Sequence, residues 1–257
     1  VSEARPALSI IVPVLDEAAN IVAALDAIAP LRACGAEIIV VDGGSRDQTV
    51  ALARPRADRV IDAPCGRASQ LNAGAAIARG DVFLFLHADT RLPVDADRLI
   101  LERIAQSGQA WGRFDVCIEG AHPLFPVIAF TMNARSRLTG ITTGDQAMFV
   151  TRAAFTAVGG FPDIALMEDI TLARQLKRVS PPLGLRERVT TSGRRWEKRG
   201  VMGTIFLMWR LRLAYFFGAK PEELAKRYGY APEPIPPPQG KGRCERSEQS
   251  GGVRSPK

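Results

Sequence analysis

The stretch Asp81–Leu92, DVFLFLHADTRL, constrains the chain more than any other. Val82 to Leu86 are apolar without alternation, the pattern of a strand buried on both faces of a mostly parallel sheet. The run then breaks into His87-Ala88-Asp89-Thr90. A carboxylate placed where a core strand ends lies at the carboxyl edge of the sheet, where open α/β folds bind their ligands. Asp89 is therefore a candidate metal-facing or phosphate-facing group. Asp also commonly caps the turn or helix that follows a strand, so residue type alone leaves both roles open.

The same arrangement recurs upstream. Leu8 to Val12 reads as a buried strand ended by Pro13, and Ile21, Leu25 and Ile28 follow at helical spacing. Asp16 and Glu17 fall between them, in what the pattern predicts to be the first helical turn, where the macrodipole favours acids. Glu37 to Val41 is a second strand and ends on Asp42, followed by Gly43-Gly44-Ser45. Ser45 and Gln48 have the spacing of a capping box for a helix that carries Val50 and Leu52. Arg59 to Asp62 is a short third strand. Gly66 to Gly74, GRASQLNAG, then opens a small-residue helix that runs to about Arg79 and stops at Gly80. Arg67 stands against the dipole at that helix start, which suits an anionic neighbour. Right-handed crossovers would bring Asp16 or Glu17, Asp42 and Asp89 to one edge of one sheet. Neither G-x-G-x-x-G nor a P-loop is present.

Downstream the pattern changes. Residues 98–105 read as a helix, and Gly112 to Ile118 alternates like a strand with one solvated face. Ile128 to Arg137 is helical in character, and Thr142 to Gln146 leads into the apolar run Ala147 to Val150. The turn Gly159 to Pro162 delivers Met167-Glu168-Asp169 to a helix whose expected core face is Leu172, Leu176 and Val179. Thr190 to Gly200 crowds cations around Trp196, which suits the phosphates of a small ligand. Val201 to Phe217 is the most apolar stretch, yet it carries Arg210 and Arg212 and is shorter than the roughly 20 residues of a membrane span. Burial, a homo-oligomer contact and a peripheral membrane contact remain open for it. From Ala231 onward proline, serine, glycine and charge replace apolar periodicity, so residues 231–257 are expected to be a disordered tail.

The expected organisation is one domain over 1–230, with a nucleotide-binding half at about 8–92, a smaller acceptor half at about 93–200 and an apolar helical segment at 201–230. Lys plus Arg exceeds Asp plus Glu by 34 to 27, which favours an anionic partner. Aromatics make up only 7% of the chain, a thin basis for a nucleic-acid surface, so a phosphorylated small molecule is the better match. Cys34, Cys65, Cys117 and Cys244 are far apart, and only His87 and His122 accompany them. This argues against a Cys/His zinc site and for a reducing, cytoplasmic setting. The N-terminal residues contain no apolar core of signal-peptide length before Asp16.

Taken in order, PVLDE (Pro13 to Glu17), DGGSRD (Asp42 to Asp47), GRASQLNAG, LHADT (Leu86 to Thr90), MEDITL (Met167 to Leu172) and RRW (Arg194 to Trp196) resemble the family-2 inverting glycosyltransferases of the GT-A fold. The resemblance covers roughly residues 8–200, and is strongest to small bacterial members associated with selenium and radical-chemistry gene neighbourhoods. It implies a mostly parallel, Rossmann-like sheet flanked by helices. It also implies metal-dependent transfer of a sugar, from a UDP-sugar by family weight, to a hydroxyl acceptor that is a small molecule or lipid-like. By position, Glu17 and Asp42 would contact ribose and base, Asp47 would support their loop, and Arg67 and Asn72 would hold the nucleotide. Asp89 would bind Mg²⁺ or Mn²⁺ with His87 beside it, and Asp169, next to Glu168, would be the general base. Arg195 and Trp196 would close over the diphosphate, and Gly144, Asp145 and Gln146 would line the sugar pocket. His87 replaces the first acid of the family's D-x-D, and Ser192 replaces the Gln of Q-x-x-R-W. A sugar-phosphate nucleotidyltransferase and a catalytically degenerate nucleotide-binding scaffold are the alternatives.

Overall fold

The computed structural model describes residues 6–228. The expected tail, Cys244 and the side chain of Arg195 lie outside that description. Strands β1 (Leu8–Val14), β2 (Glu37–Asp42), β3 (Arg59–Asp62) and β4 (Val82–Phe85) alternate with helices α1 (Ile21–Ala33), α2 (Thr49–Ala53) and α3 (Arg67–Ile77). These strands pair in parallel in the order β3-β2-β1-β4. Because strand side chains alternate faces, each run feeds two cores. Ile10, Val12, Ile38 and Val40 pack with Ile21, Leu25 and Ile28 of α1 on one side. Ile11, Ile39 and Val41 pack with Ala68, Leu71 and Ala75 of α3 on the other. The approach of α3 depends on Gly74, where an added Cβ would lie 2.5 Å from Ile11 Cγ2.

The remaining elements are β5 (Thr90–Arg91), α4 (Ala96–Ser107), β6 (Trp111–Glu119), α5 (Phe125–Thr139), a 3-10 turn (Gly144–Gln146), β7 (Phe149–Thr151), α6 (Arg152–Ala157), α7 (Glu168–Leu176) and β8 (Leu183–Ser192). They are followed by α8 (Arg194–Arg199), α9 (Val201–Phe216) and α10 (Pro221–Tyr228). The sheet continues through both halves of the chain as β4-β7-β6-β8-β5. Pairing is antiparallel at β4/β7, β6/β7 and β5/β8 and parallel at β6/β8. The result is the mostly parallel α/β architecture expected from the sequence.

Four local expectations are corrected. Asp16 and Glu17 are not in a helical turn: α1 begins at Ile21, and Asp16 adopts a left-handed conformation with φ 51°. Ser45 does not cap α2, because its hydroxyl donates to the Asp42 carboxylate instead. β6 has no solvated face. It lies between β7 and β8, and its polar residues Arg113 and Asp115 are buried as an ion pair that Arg137 of α5 joins. A buried charge persists where it is paired and hydrogen-bonded, and alternation alone cannot report that. Finally, α7 ends at Leu176, so Val179 lies beyond the helix and is exposed rather than core.

The apolar stretch after Gly200 forms α9, with Val201, Thr204 and Leu211 buried. Its other face is open, so the helix is not buried all round. Among the described residues no helix is long and apolar enough to cross a membrane.

Candidate active site

The strand order turns back at β1 and β4: from β1 the chain moves outward to β2 and β3, then returns to β4 on the other side. The loops leaving such adjacent strands diverge and leave a crevice at their carboxyl ends. A cleft of about 290 Å³ opens there. Pro13, Val14, Leu15 and Glu17 contribute from β1 and its loop, Arg67 and Gln70 from α3, and His87, Ala88 and Asp89 from the end of β4. Asp145, Thr191, Ser192 and Trp196 continue the wall, and Thr204 and Met208 of α9 with Tyr228 of α10 close it.

The loops after β1 and β2 are interlocked. The backbone N–H groups of Asp16, Glu17 and Ala18 donate to Ser45 Oγ, Thr49 Oγ1 and Asp47 Oδ2 at 2.9, 2.8 and 3.0 Å, and Arg46 N–H returns a bond to Asp16 Oδ1 at 2.8 Å. Asp47 is thus a loop support, and its hydrogen bond from the Thr49 hydroxyl holds its pKa below the usual value. Glu17 accepts from Asn20 Nδ2 at 2.6 Å, and Asn20 Oδ1 accepts from Arg194 at 2.8 Å, joining this loop to α8.

Asp42 is placed differently from the expectation. It is buried, it does not line the cleft, and its carboxylate accepts from the Gly44 and Ser45 amides and the Ser45 hydroxyl. Asn72 is likewise committed elsewhere: its amide bridges to the N–H and C=O of Phe161, tying α3 to the 159–161 turn. Gln146 is fully buried and its Oε1 accepts from the Thr143 N–H at 3.3 Å, so it shapes the turn that presents Asp145 instead of lining the cleft itself.

The charged centre is dense. Arg67 Nε lies 3.0 Å from Glu168 Oε1, and Glu168 is buried. Burial works against the Arg67 charge, but Glu168, Asp169 and Asp145 together raise its pKa. Burial pushes the Glu168 carboxyl up to about 7, opposed by Arg67 and aided by Asp169. His87 Nδ1 lies 3.8 Å from Asp145 Oδ1. Burial, with Arg67 acting the same way, pushes the His87 imidazole down against the pull of Asp145, Asp89 and Asp169, which favours its neutral form. The ring packs on Gly144, where an added Cβ would sit 2.6 Å from Nε2. Gly144 N–H in turn donates to Asp169 Oδ2 at 2.8 Å, so this one glycine positions both the imidazole and the candidate base.

Several residues here carry no sequence signal that pattern reading could use. Gln70 donates through Nε2 to the carbonyls of Val14 and Val41, both at 2.9 Å, and so fixes the carboxyl ends of β1 and β2 together. Arg135 of α5 and Arg212 of α9 have buried guanidinium nitrogens without hydrogen-bond partners. Burial first, and then the like charge of Arg212, push the pKa of Arg135 down to about 10, while Asp169 and Asp145 oppose the shift. Only chain folding brings these two arginines together.

Among the described residues no group of three His, Cys, Asp or Glu side chains forms a ready metal cage. Mg²⁺ and Mn²⁺ do not require one, since they are commonly held by one or two carboxylates with substrate phosphates and water. Asp89 supplies a hard oxygen ligand in the cleft and neutral His87 a nitrogen, so the residues present fit a divalent ion shared with a diphosphate.

A parallel half-sheet, a crevice at its switch point and an appended mixed sheet define the GT-A class of α/β proteins. The sequence matches the model "Glycosyl transferase family 2" over residues 9–158, and the chain belongs to that family. A PGL/p-HBAD biosynthesis glycosyltransferase of Mycobacterium tuberculosis is 40% identical over 103 residues, covering 37% of this chain and 40% of that protein. The match therefore spans well under half of the curated relative's length. A mannosyltransferase from Pyrobaculum calidifontis, solved with GDP-Man and Mn²⁺, has a TM-score of 0.59 at 22% identity and covers 87% of this chain and 68% of its own. Glucosyl-3-phosphoglycerate synthase from Mycobacterium tuberculosis, solved with phosphoglyceric acid, gives 0.60 at 20% identity, covering 89% and 81%. These two likenesses are of fold.

Proposed function

We propose that this protein transfers a sugar, with inversion, from a nucleotide-diphosphate sugar to a hydroxyl acceptor, with UDP as the preferred nucleotide and a divalent ion as cofactor. The observation that carries the reading is the gathering of Glu17, Arg67, His87, Asp89, Asp145 and Trp196 around one cleft at the switch point. Family membership and the nucleotide-sugar complex of a structural neighbour support it.

In this reading Arg67 faces the anionic donor, and Glu17 and Trp196 flank it. Asp89 and His87 would hold Mg²⁺ or Mn²⁺, which when bound would offset charge on the leaving diphosphate. Asp169 takes the proton of the acceptor hydroxyl as that oxygen bonds to the anomeric carbon, while the bond from that carbon to the diphosphate oxygen breaks. Asp169 does not itself line the cleft, but the amide of Gly144, next to the cleft-lining Asp145, donates to its Oδ2 at 2.8 Å and holds it close by. Glu168, paired with Arg67, acts through its partner as a positioning residue. A reducing cytoplasmic location fits Cys34 and Cys117, which form no disulfide.

Calorimetric titration with UDP, GDP and CDP, with Mn²⁺ or with chelator, tests this on wild type and Asp89→Ala. One diphosphate should bind only with metal and lose that binding in Asp89→Ala. At about 100 times its dissociation constant it should add about 2.7 kcal/mol of stability, visible as a raised Tm. Wild type that binds none of the three would replace the enzyme by a degenerate scaffold.

A further inference from the structure

The outer face of α9 has no partner among the described residues. Met202, Phe206, Trp209, Leu213 and Phe216 recur at intervals of four and three, which aligns them in one stripe, and each is 59–71% exposed. Phe217, 76% exposed, extends the stripe past the helix end. Single exposed apolar residues are ordinary, but a contiguous run of this size marks an interaction surface.

Two features select the occupant. The stripe lies in a cationic stretch: Arg210 and Lys220 are exposed, and no acid occurs between Glu197 and Glu222. Its composition is rich in Phe and Trp, the side chains that settle at a lipid headgroup boundary. A coiled-coil seam has the same spacing, but it favours Leu, Ile and Val and needs about 3–4 heptads, whereas α9 has 16 residues. Pairing with a second copy is therefore the weaker match.

We propose that the protein docks peripherally on an anionic lipid bilayer through this face of α9, an inference that rests on reading the cleft as a site of sugar transfer. The inner side of the same helix supplies Thr204 and Met208 to the cleft. Docking thus sets one wall of the cleft at the membrane surface, where a lipid-borne hydroxyl is the acceptor to hand. The helix lies in the interface and does not cross it, with its apolar side chains about 5–10 Å into the headgroup boundary.

Co-sedimentation with phosphatidylcholine vesicles, with and without phosphatidylglycerol, tests the proposal. Wild type should partition onto the phosphatidylglycerol vesicles, and the double variant Phe206→Ser/Trp209→Ser should partition about tenfold less. Val94→Ser, at an 85% exposed position before α4, should partition like wild type. Arg210→Glu/Lys220→Glu keeps the stripe and should weaken partition in the same sense as added salt. Wild type that ignores both vesicles, or a Phe206→Ser/Trp209→Ser variant that partitions like wild type, overturns the proposal. So does light scattering that finds a wild-type dimer dissolved by the same pair. Nucleotide calorimetry on these variants separates the two readings: vesicle binding lost with nucleotide binding intact supports docking, whereas a wild type that binds vesicles but no nucleotide removes the enzymatic reading alone.

Discussion

The two halves of the sheet are stabilised by different means. From β1 to β4 the strands are parallel and mostly apolar on both faces, packed against α1 on one side and α3 on the other, with a buried polar contact where Ser9 Oγ donates to Glu37 Oε2 at 2.6 Å. From β6 to β8 the sheet is mixed, and its interior holds the ion pair Arg113–Asp115, the reach of Arg137, and Asn133 bonded to both the N–H and C=O of Val116. The first half is specified mainly by volume, and the second mainly by satisfied polarity. A cavity or an overpacked contact should damage the former, and an orphaned charge the latter.

The sharpest way to break the comparison is Asp115→Ala. It leaves Arg113 buried without its carboxylate and should cost about 3–5 kcal/mol, read as a drop in the urea midpoint. Gly74→Ala attacks the other half by pushing α3 off Ile11 and Val41, and should cost about 1–3 kcal/mol by the same assay. Arg135→Met should work in the opposite direction. Its Nε and Nη2 are buried, unpartnered and near Arg212, so an apolar chain of similar reach should raise stability by about 1–2 kcal/mol, read in the same urea assay. An Arg135→Met that loses stability would show that the pair is structurally satisfied.

The effect confined to a pH window concerns Glu168, whose carboxyl is shifted from 4.5 up to about 7. Between those values the folded protein retains a proton that the unfolded chain has released, so stability contributed by this group falls as pH rises through that window and is level above it. Glu168→Gln should flatten that part of a stability-against-pH curve by up to about 3 kcal/mol. A curve unchanged by the substitution would place the titration elsewhere.

The contrast also explains what the sequence makes legible. Unbroken apolar runs such as Ile38–Val41 and Val82–Leu86 announce buried parallel strands, and His87 and Asp89 after the second of them, like Glu17 after β1, do line the cleft. Arg67 was visible as a cation at a helix start, and Trp196 as an aromatic among cations. Asp42 and Asn72 have the right residue type at the end of β2 and in α3, but their side chains bond locally to the Gly44–Ser45 turn and to Phe161, and composition cannot register such local partners. β6 reads as half-solvated because Arg113 and Asp115 look like surface residues until the third partner, 22 positions on from Asp115, is folded against them. Gln70, Arg135 and Arg212 act through long-range geometry and leave no periodic trace.

The interlocked loops after β1 and β2 carry a consequence for anyone who would redesign donor choice. Each loop satisfies the other's backbone amides, and Gln70 clamps the strand ends from which both emerge. They form a single cassette. Transplanting residues 15–20 from a relative without residues 43–49 would strand donors on one side of the seam, so recombination should respect the pair and breakpoints belong outside it.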